Sequence, residues 1–191
     1  MFKSAQDEFI FANGWMTTYS GLDFDIFNPS YKLISIVDIA HALSMICRFG
    51  GHTKKFYSVA QHSVLVSYIC PPEYALEGLL HDATETYCGD LIRPIKVMMP
   101  NYQDMETGLH KAVNRAFGLR SNKKIKAIVK MADNIALITE RRDLKSNSLH
   151  VLAQDGALVA LKQKIRPWSS GKSELEFLKR FEELTNGKHA D

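Results

Sequence analysis

Cysteine is scarce: Cys47, Cys70 and Cys88 are the three among 191 residues, and no two form a Cys-x-x-Cys pair. That excludes a disulfide framework and a thiolate metal site, and it reads as reduced thiols in a cytoplasmic compartment. Long apolar runs are also missing. No stretch can span a bilayer, so no membrane partner is expected. The opening residues Met1 to Glu8 lack the apolar core of a secretory signal. Charge of one sign is nearly balanced. A net charge of +3 gives no broad electrostatic footprint for nucleic acid. Repeats and low-complexity tracts are absent. A chain of this length can bury one core, so residues 1–191 read as a single domain.

Helical punctuation dominates what is present. Asp38 to Cys47 is apolar-periodic and stopped by Gly50-Gly51, and Ser58 to Ile69 ends at Pro71-Pro72. The pattern predicts further helices over Glu73–Tyr87 and Tyr102–Phe117, then one capped by Ser121 that runs to about Arg142. Ser173-Glu174-Leu175-Glu176 reads as a capping box opening a last helix to about Thr185, stopped by Asn186-Gly187. Near the start, aromatic and polar residues alternate on both sides of Ser20-Gly21, the pattern of a small hairpin. The expected fold is all-α, a compact helical bundle with a small N-terminal β-hairpin.

Three polar intrusions into apolar helix faces carry the chemistry. His62 shares a helical stripe with Val59 and Val66. His81-Asp82 follows Leu79-Leu80 directly. Asp133 interrupts the face formed by Ile125, Ile128, Val129, Ala132 and Ala136. Buried charge is costly unless paired or metal-bound. His62 alone is a satisfied core histidine and Asp133 alone an internal carboxylate. Together, two histidines and two aspartates suit one divalent cation with positions left for water and substrate. Glu85 lies four residues after His81 and can share its helix face, where a free carboxylate serves as general acid or base. Arg48, His52, Lys54 and Lys55 cluster by the Gly50-Gly51 turn, a setting that can hold phosphate oxygens. Lys123, Lys124, Lys126 and Lys130 read mostly as a solvated helix face, with no interleaved aromatics to support nucleic-acid binding. His41, inside an apolar helix, reads as a packed histidine.

The ordered set His62, His81-Asp82 and Asp133 resembles the HD-domain metal-dependent phosphohydrolases, over roughly residues 36 to 145. The closest likeness is to the bacterial 5′-deoxynucleotidases and the related phage dATP triphosphohydrolases. Arg48-Phe49 resembles their Arg-Trp pair, Ser58 to Ser63 their first-histidine string, and Lys130 to Asp133 their last ligand. His81 to Glu85 followed by Gly89 to Lys96 resembles their central signature. The chain departs from the pattern in carrying Gln61 before the first histidine, Phe49 beside the arginine, and a shorter interval between His62 and His81. None of these removes a ligand.

The resemblance implies an HD-type bundle, with residues 150–186 packed on the core as C-terminal helices. It implies a divalent metal (zinc, cobalt, manganese or magnesium) on His62, His81, Asp82 and Asp133. It implies Glu85 and Asp90 as catalytic groups. Arg48, Phe49, His52, Lys54, Pro94 and Lys96 become substrate-binding candidates, Phe49 as the ring that excludes a ribose 2′-hydroxyl. The implied substrate is a deoxynucleotide, with dATP or dAMP leading. A 5′-deoxynucleotidase of several monophosphates and a non-catalytic nucleotide sensor are the alternatives. A homo-oligomer, dimer or hexamer, is the implied assembly.

Overall fold

In the computed structural model, residues 14–145 and 158–186 are described. The opening segment Met1 to Glu8, the 150–157 part of the C-terminal expectation and the Gly187 stop lie outside them. The hairpin forms as expected. β1 (Trp15–Thr17) pairs antiparallel with β2 (Asp23–Asp25), with Met16 opposite Phe24. The turn includes Gly21 at φ 80°, a left-handed conformation that glycine adopts without a Cβ clash. Ser20 donates its backbone N–H and its hydroxyl to the buried Asp38 at 2.7 and 2.8 Å, which pins the hairpin to the first helix.

The rest of the described chain is mostly helical: α1 (Ile36–Met45), α2 (Val59–Ile69), α3 (Ala75–Leu79), α4 (Glu85–Cys88), α5 (Arg93–Lys96), α6 (Pro100–Ala116), α7 (Lys123–Leu144) and α8 (Ser170–Asn186). Helix α2 is central and packs on α1, α3, α7 and α8. The main core gathers Ile39 and Leu43 from α1, Val59 and Val64 from α2, Leu76 and Leu79 from α3, and Phe177 from α8. Each such side chain contributes about 1.5–3 kcal/mol when fully buried. A smaller cluster of Phe24, Tyr87 and Leu109 ties β2 to α4 and α6, with Phe24 stacked on Tyr87 at 4.2 Å.

Three boundaries differ from expectation. The helix expected over Glu73–Tyr87 is broken. Pro72–Tyr74 is a 3₁₀ turn, α3 ends at Leu79, and residues 80–84 run as consecutive tight turns before α4. His81-Asp82 therefore sits in a turn between two short helices, not on a helix face. Asn122, not Ser121, caps α7 by accepting from the Ile125 N–H at 2.9 Å. Helix α8 begins at Ser170, ahead of the expected box. Ser169 accepts from the Lys172 N–H, while Ser173 is buried one turn in and donates to the Ser169 carbonyl. The segment before α8 is irregular, so this part of the C-terminal expectation holds only for α8.

Candidate metal centre

His62 reaches the centre because α2 is anchored at its start. The Ser58 hydroxyl accepts from the Gln61 N–H at 3.1 Å, and an isolated antiparallel bridge joins Cys47 to Ser58. The bridge holds Arg48 beside the first turn of α2. His62 points inward and is fully buried. Its Nδ1 lies 2.6 Å from Oε1 of Glu140, which is also fully buried. A carboxylate only accepts, so Nδ1 carries the hydrogen and Nε2 is left free. Nδ1 of His81 lies 2.8 Å from the Gly78 carbonyl, which fixes the same tautomer there.

The two free nitrogens face each other, Nε2 to Nε2, at 3.3 Å. Two lone pairs that close repel unless a proton or a metal ion lies between them. Asp82 brings Oδ2 to 3.2 Å from Nε2 of His81 and 3.5 Å from Nε2 of His62. Asp133 brings Oδ1 to 3.4 Å from Nε2 of His62, while Lys130 donates to its Oδ2 at 2.6 Å. His62, His81 and Asp82 each offer a ligand atom within 4.8 Å of the others, a group that can hold a metal ion. Burial opposes charge on His62, and so does Arg48. Glu140 and the hydrogen bonds to Asp133 and Glu140 outweigh them, raising its pKa to about 9. Burial opposes ionisation of Asp82 and of Asp133. The two histidines overcome it in both, with help from Arg48 at Asp82 and from Lys130 at Asp133, and both carboxyls are held low. The donor set thus draws in positive charge, and two His nitrogens with carboxylate oxygens match a borderline divalent cation.

Glu85 opens α4 nearby, 8% exposed, with its buried Oε2 lacking a partner among the described residues. Burial, then the carboxylates of Asp82 and Asp90, push its pKa well up, against Arg48 and Lys96. Glu85 accordingly tends to keep its proton. Burial also raises Asp90, which Arg48 partly offsets.

Arg48 is drawn inward rather than held out toward solvent. Its guanidinium lies 3.8 Å from Asp82, 3.8 Å from Asp90 and 3.5 Å from Glu140. Its Nε is buried without a partner among the described residues. Phe49 adopts a left-handed backbone, φ 56°, at a strain cost of roughly 1–2 kcal/mol for a residue with a Cβ. Its ring lies 5.5 Å from the Arg48 guanidinium and 4.9 Å from the Lys145 ammonium. Lys96 is ion-paired with Glu106 and sits 5.8 Å over the Tyr102 ring. His52, Lys54 and Pro94 are exposed, and no ion pair joins His52 or Lys54 to the cluster among the described residues. Lys54 instead donates its backbone N–H to the Leu144 carbonyl at the end of α7.

Curated proteins similar to this chain bear on its relationships. No family model matches it. YfdR, an uncharacterized protein of Escherichia coli K12, is 46% identical over 130 residues, 68% of this chain and 72% of the relative. The uncharacterized protein RCAP_rcc00048 of Rhodobacter capsulatus is 34% identical over 142 residues, again 68% of this chain and 72% of the relative. The chain belongs to the family of these two proteins.

Two members of the centre, Glu140 and Tyr57, escape sequence reading, and so does the role of the neighbouring Gln61. Glu140 binds His62 and also accepts from the Tyr57 hydroxyl at 3.0 Å. The signal available for it was spacing, since Glu140 lies seven residues after Asp133 and shares its face. Tyr57, fully buried, carried no such signal. Gln61 donates its amide to the Arg166 carbonyl at 2.9 Å and accepts from the Trp168 N–H at 2.8 Å. A carboxylate there could only accept, so the amide suits this clamp between α2 and the segment before α8. His41 is a packed histidine as expected, stacked on Tyr19 at 3.6 Å and 3.2 Å from Glu174. No helix among the described residues is long and apolar enough to cross a membrane.

Proposed function

We propose that the chain is an HD-type, divalent-metal phosphohydrolase of deoxynucleotides, with deoxyadenosine nucleotides as leading substrates. One observation carries the reading: two imidazoles, each with Nδ1 tied off, turn their Nε2 atoms toward each other at 3.3 Å beside the Asp82 carboxylate. His62, His81 and Asp82 would hold the ion, with Asp133 completing the set from α7.

Held by these residues, a divalent ion would supply Lewis acidity to a phosphoryl oxygen and to a water. The chain's own residues do the rest. Arg48 sets positive charge beside Asp82 and Asp90, which offsets their repulsion of an incoming phosphate. In hydrolysis the water oxygen bonds to phosphorus and the bond from phosphorus to the 5′-oxygen breaks. Glu85, kept protonated by burial and its acidic neighbours, gives that proton to the departing oxygen. Asp90 accepts the proton lost by the water. The products are deoxynucleoside and phosphate from a monophosphate, or deoxynucleoside and triphosphate from a triphosphate.

The test is a panel of ribo- and deoxynucleotide mono-, di- and triphosphates with added divalent metals, products read by chromatography, on wild type and Asp82→Ala. Metal-dependent release of deoxynucleoside is expected. Asp82→Ala should lose both activity and bound metal, since it removes a charged ligand. Unchanged metal content and turnover in that variant would sink the assignment.

A further inference from the structure

A cleft of about 370 Å³ opens beside the metal centre, and His81 and Asp133 form part of its wall. Its volume falls in the range of small-molecule sites. Leu80, Ile125 and Val129 give it an apolar side. From α6, Thr107, His110 and Asn114 also line it, three residues spaced to share one helix face. His110 and Asn114 are half-buried, and Thr107 is exposed. Both inner side chains offer a donor and an acceptor, the mixed pattern found on the edge of a heteroaromatic base. Burial holds His110 below its ordinary value, so its imidazole is neutral at pH 7 and keeps one donor and one acceptor. Lys126 also lines it and has no ion pair among the described residues. Phe49 does not line this cleft.

We propose that this cleft receives the nucleoside of the phosphate ester bound at the metal centre, with His110 and Asn114 reading the edge of the base. The proposal rests on the hydrolase reading for its phosphate, and it seats sugar and base away from Phe49. The apolar wall covers a ring face, α6 supplies the hydrogen bonds, and His81 with Asp133 set the end where the phosphate lies.

The experiment uses the metal-loaded full chain and the 5′-monophosphates of the four common deoxynucleosides. Thr107→Trp, at an exposed position, places a bulky ring across the mouth. It should raise KM about tenfold or more with metal content kept, the loss of at least one good contact. His110→Ala and Asn114→Ala should change the order of preference among the four bases, because each removes a hydrogen-bonding group. Hydrolysis with unchanged KM in Thr107→Trp and unchanged base order in the other two overturns the proposal. If wild type hydrolyses neither these four nor the corresponding triphosphates, the hydrolase reading falls, and calorimetric binding of the same monophosphates decides the cleft. Binding weakened by Thr107→Trp supports it; binding unaffected by that variant, or none in wild type, overturns it.

Discussion

Two carboxylates beside the same cluster do opposite work, and single-atom changes separate them. Glu140 is ionised, held low because His62 and Arg48 outweigh the burial that opposes its charge. Glu140→Gln keeps the shape and weakens the grip on His62 Nδ1. Metal affinity should fall about 10–100-fold, read by competition with a chromogenic chelator, while the fold persists. Unchanged affinity would reduce Glu140 to a structural ion pair. Glu85 is the reverse case, a carboxyl kept protonated. Glu85→Gln should retain metal and substrate binding yet lose about 10²–10⁴-fold in kcat. Loss of metal in step with activity would make Glu85 a support for the ligands. His62, His81, Asp82 and Asp133 were legible in the sequence because each interrupts or abuts an apolar run. Glu140 was not, because it opens the run Glu140-Arg141-Arg142-Asp143, which reads as a solvated helix end.

Among the elements, the short helix α3 decides where His81 sits. Its Gly78 packs so closely on α2 that an added Cβ would stand 2.7 Å from Cys70 Sγ and 3.3 Å from the Ser67 Cα. The same residue's carbonyl orients His81. Gly78→Ala should therefore push α3 off α2, costing about 1–3 kcal/mol by thermal melting and weakening metal binding with it. Adding Cys70→Ala removes the nearer clash and should restore part of both, a coupling that independent sites would lack. Additive losses in the double variant would refute the packing argument. The break after α3 was hidden in the sequence. Leu79 to Glu85 contains no proline or glycine, and its apolar spacing allows a continuous helix. The turns follow from tertiary demands: Leu80 and Ala83 both enter the main core while His81 stays tied to Gly78. The hairpin was legible because its turn chemistry is local, with Ser20-Gly21 between alternating residues.

At the scale of the whole molecule, a proton and the proposed metal ion would compete for one centre. His62 has its folded pKa raised from 6.5 to about 9, so the stability it contributes is fully present below pH 6.5 and lost as pH rises through 9. Glu85, also held up, shifts stability in the same direction. Asp82, Asp133 and Glu140 are held low, so their contributions are present above the ordinary carboxyl range and lost as pH falls below it. Metal-free protein should therefore melt lower at pH 9 than at pH 6.5. A divalent ion needs His62 deprotonated, so its binding strengthens over that interval as the proton leaves. The rise in Tm on adding metal, relative to a chelator-treated sample, should grow from pH 6.5 to 9 in scanning calorimetry. In Asp82→Ala the metal-induced rise should be small throughout. A metal-induced rise that stays flat across the interval, or shrinks toward pH 9, would show that His62 is not displaced from its proton by the ion and would remove it from the ligand set.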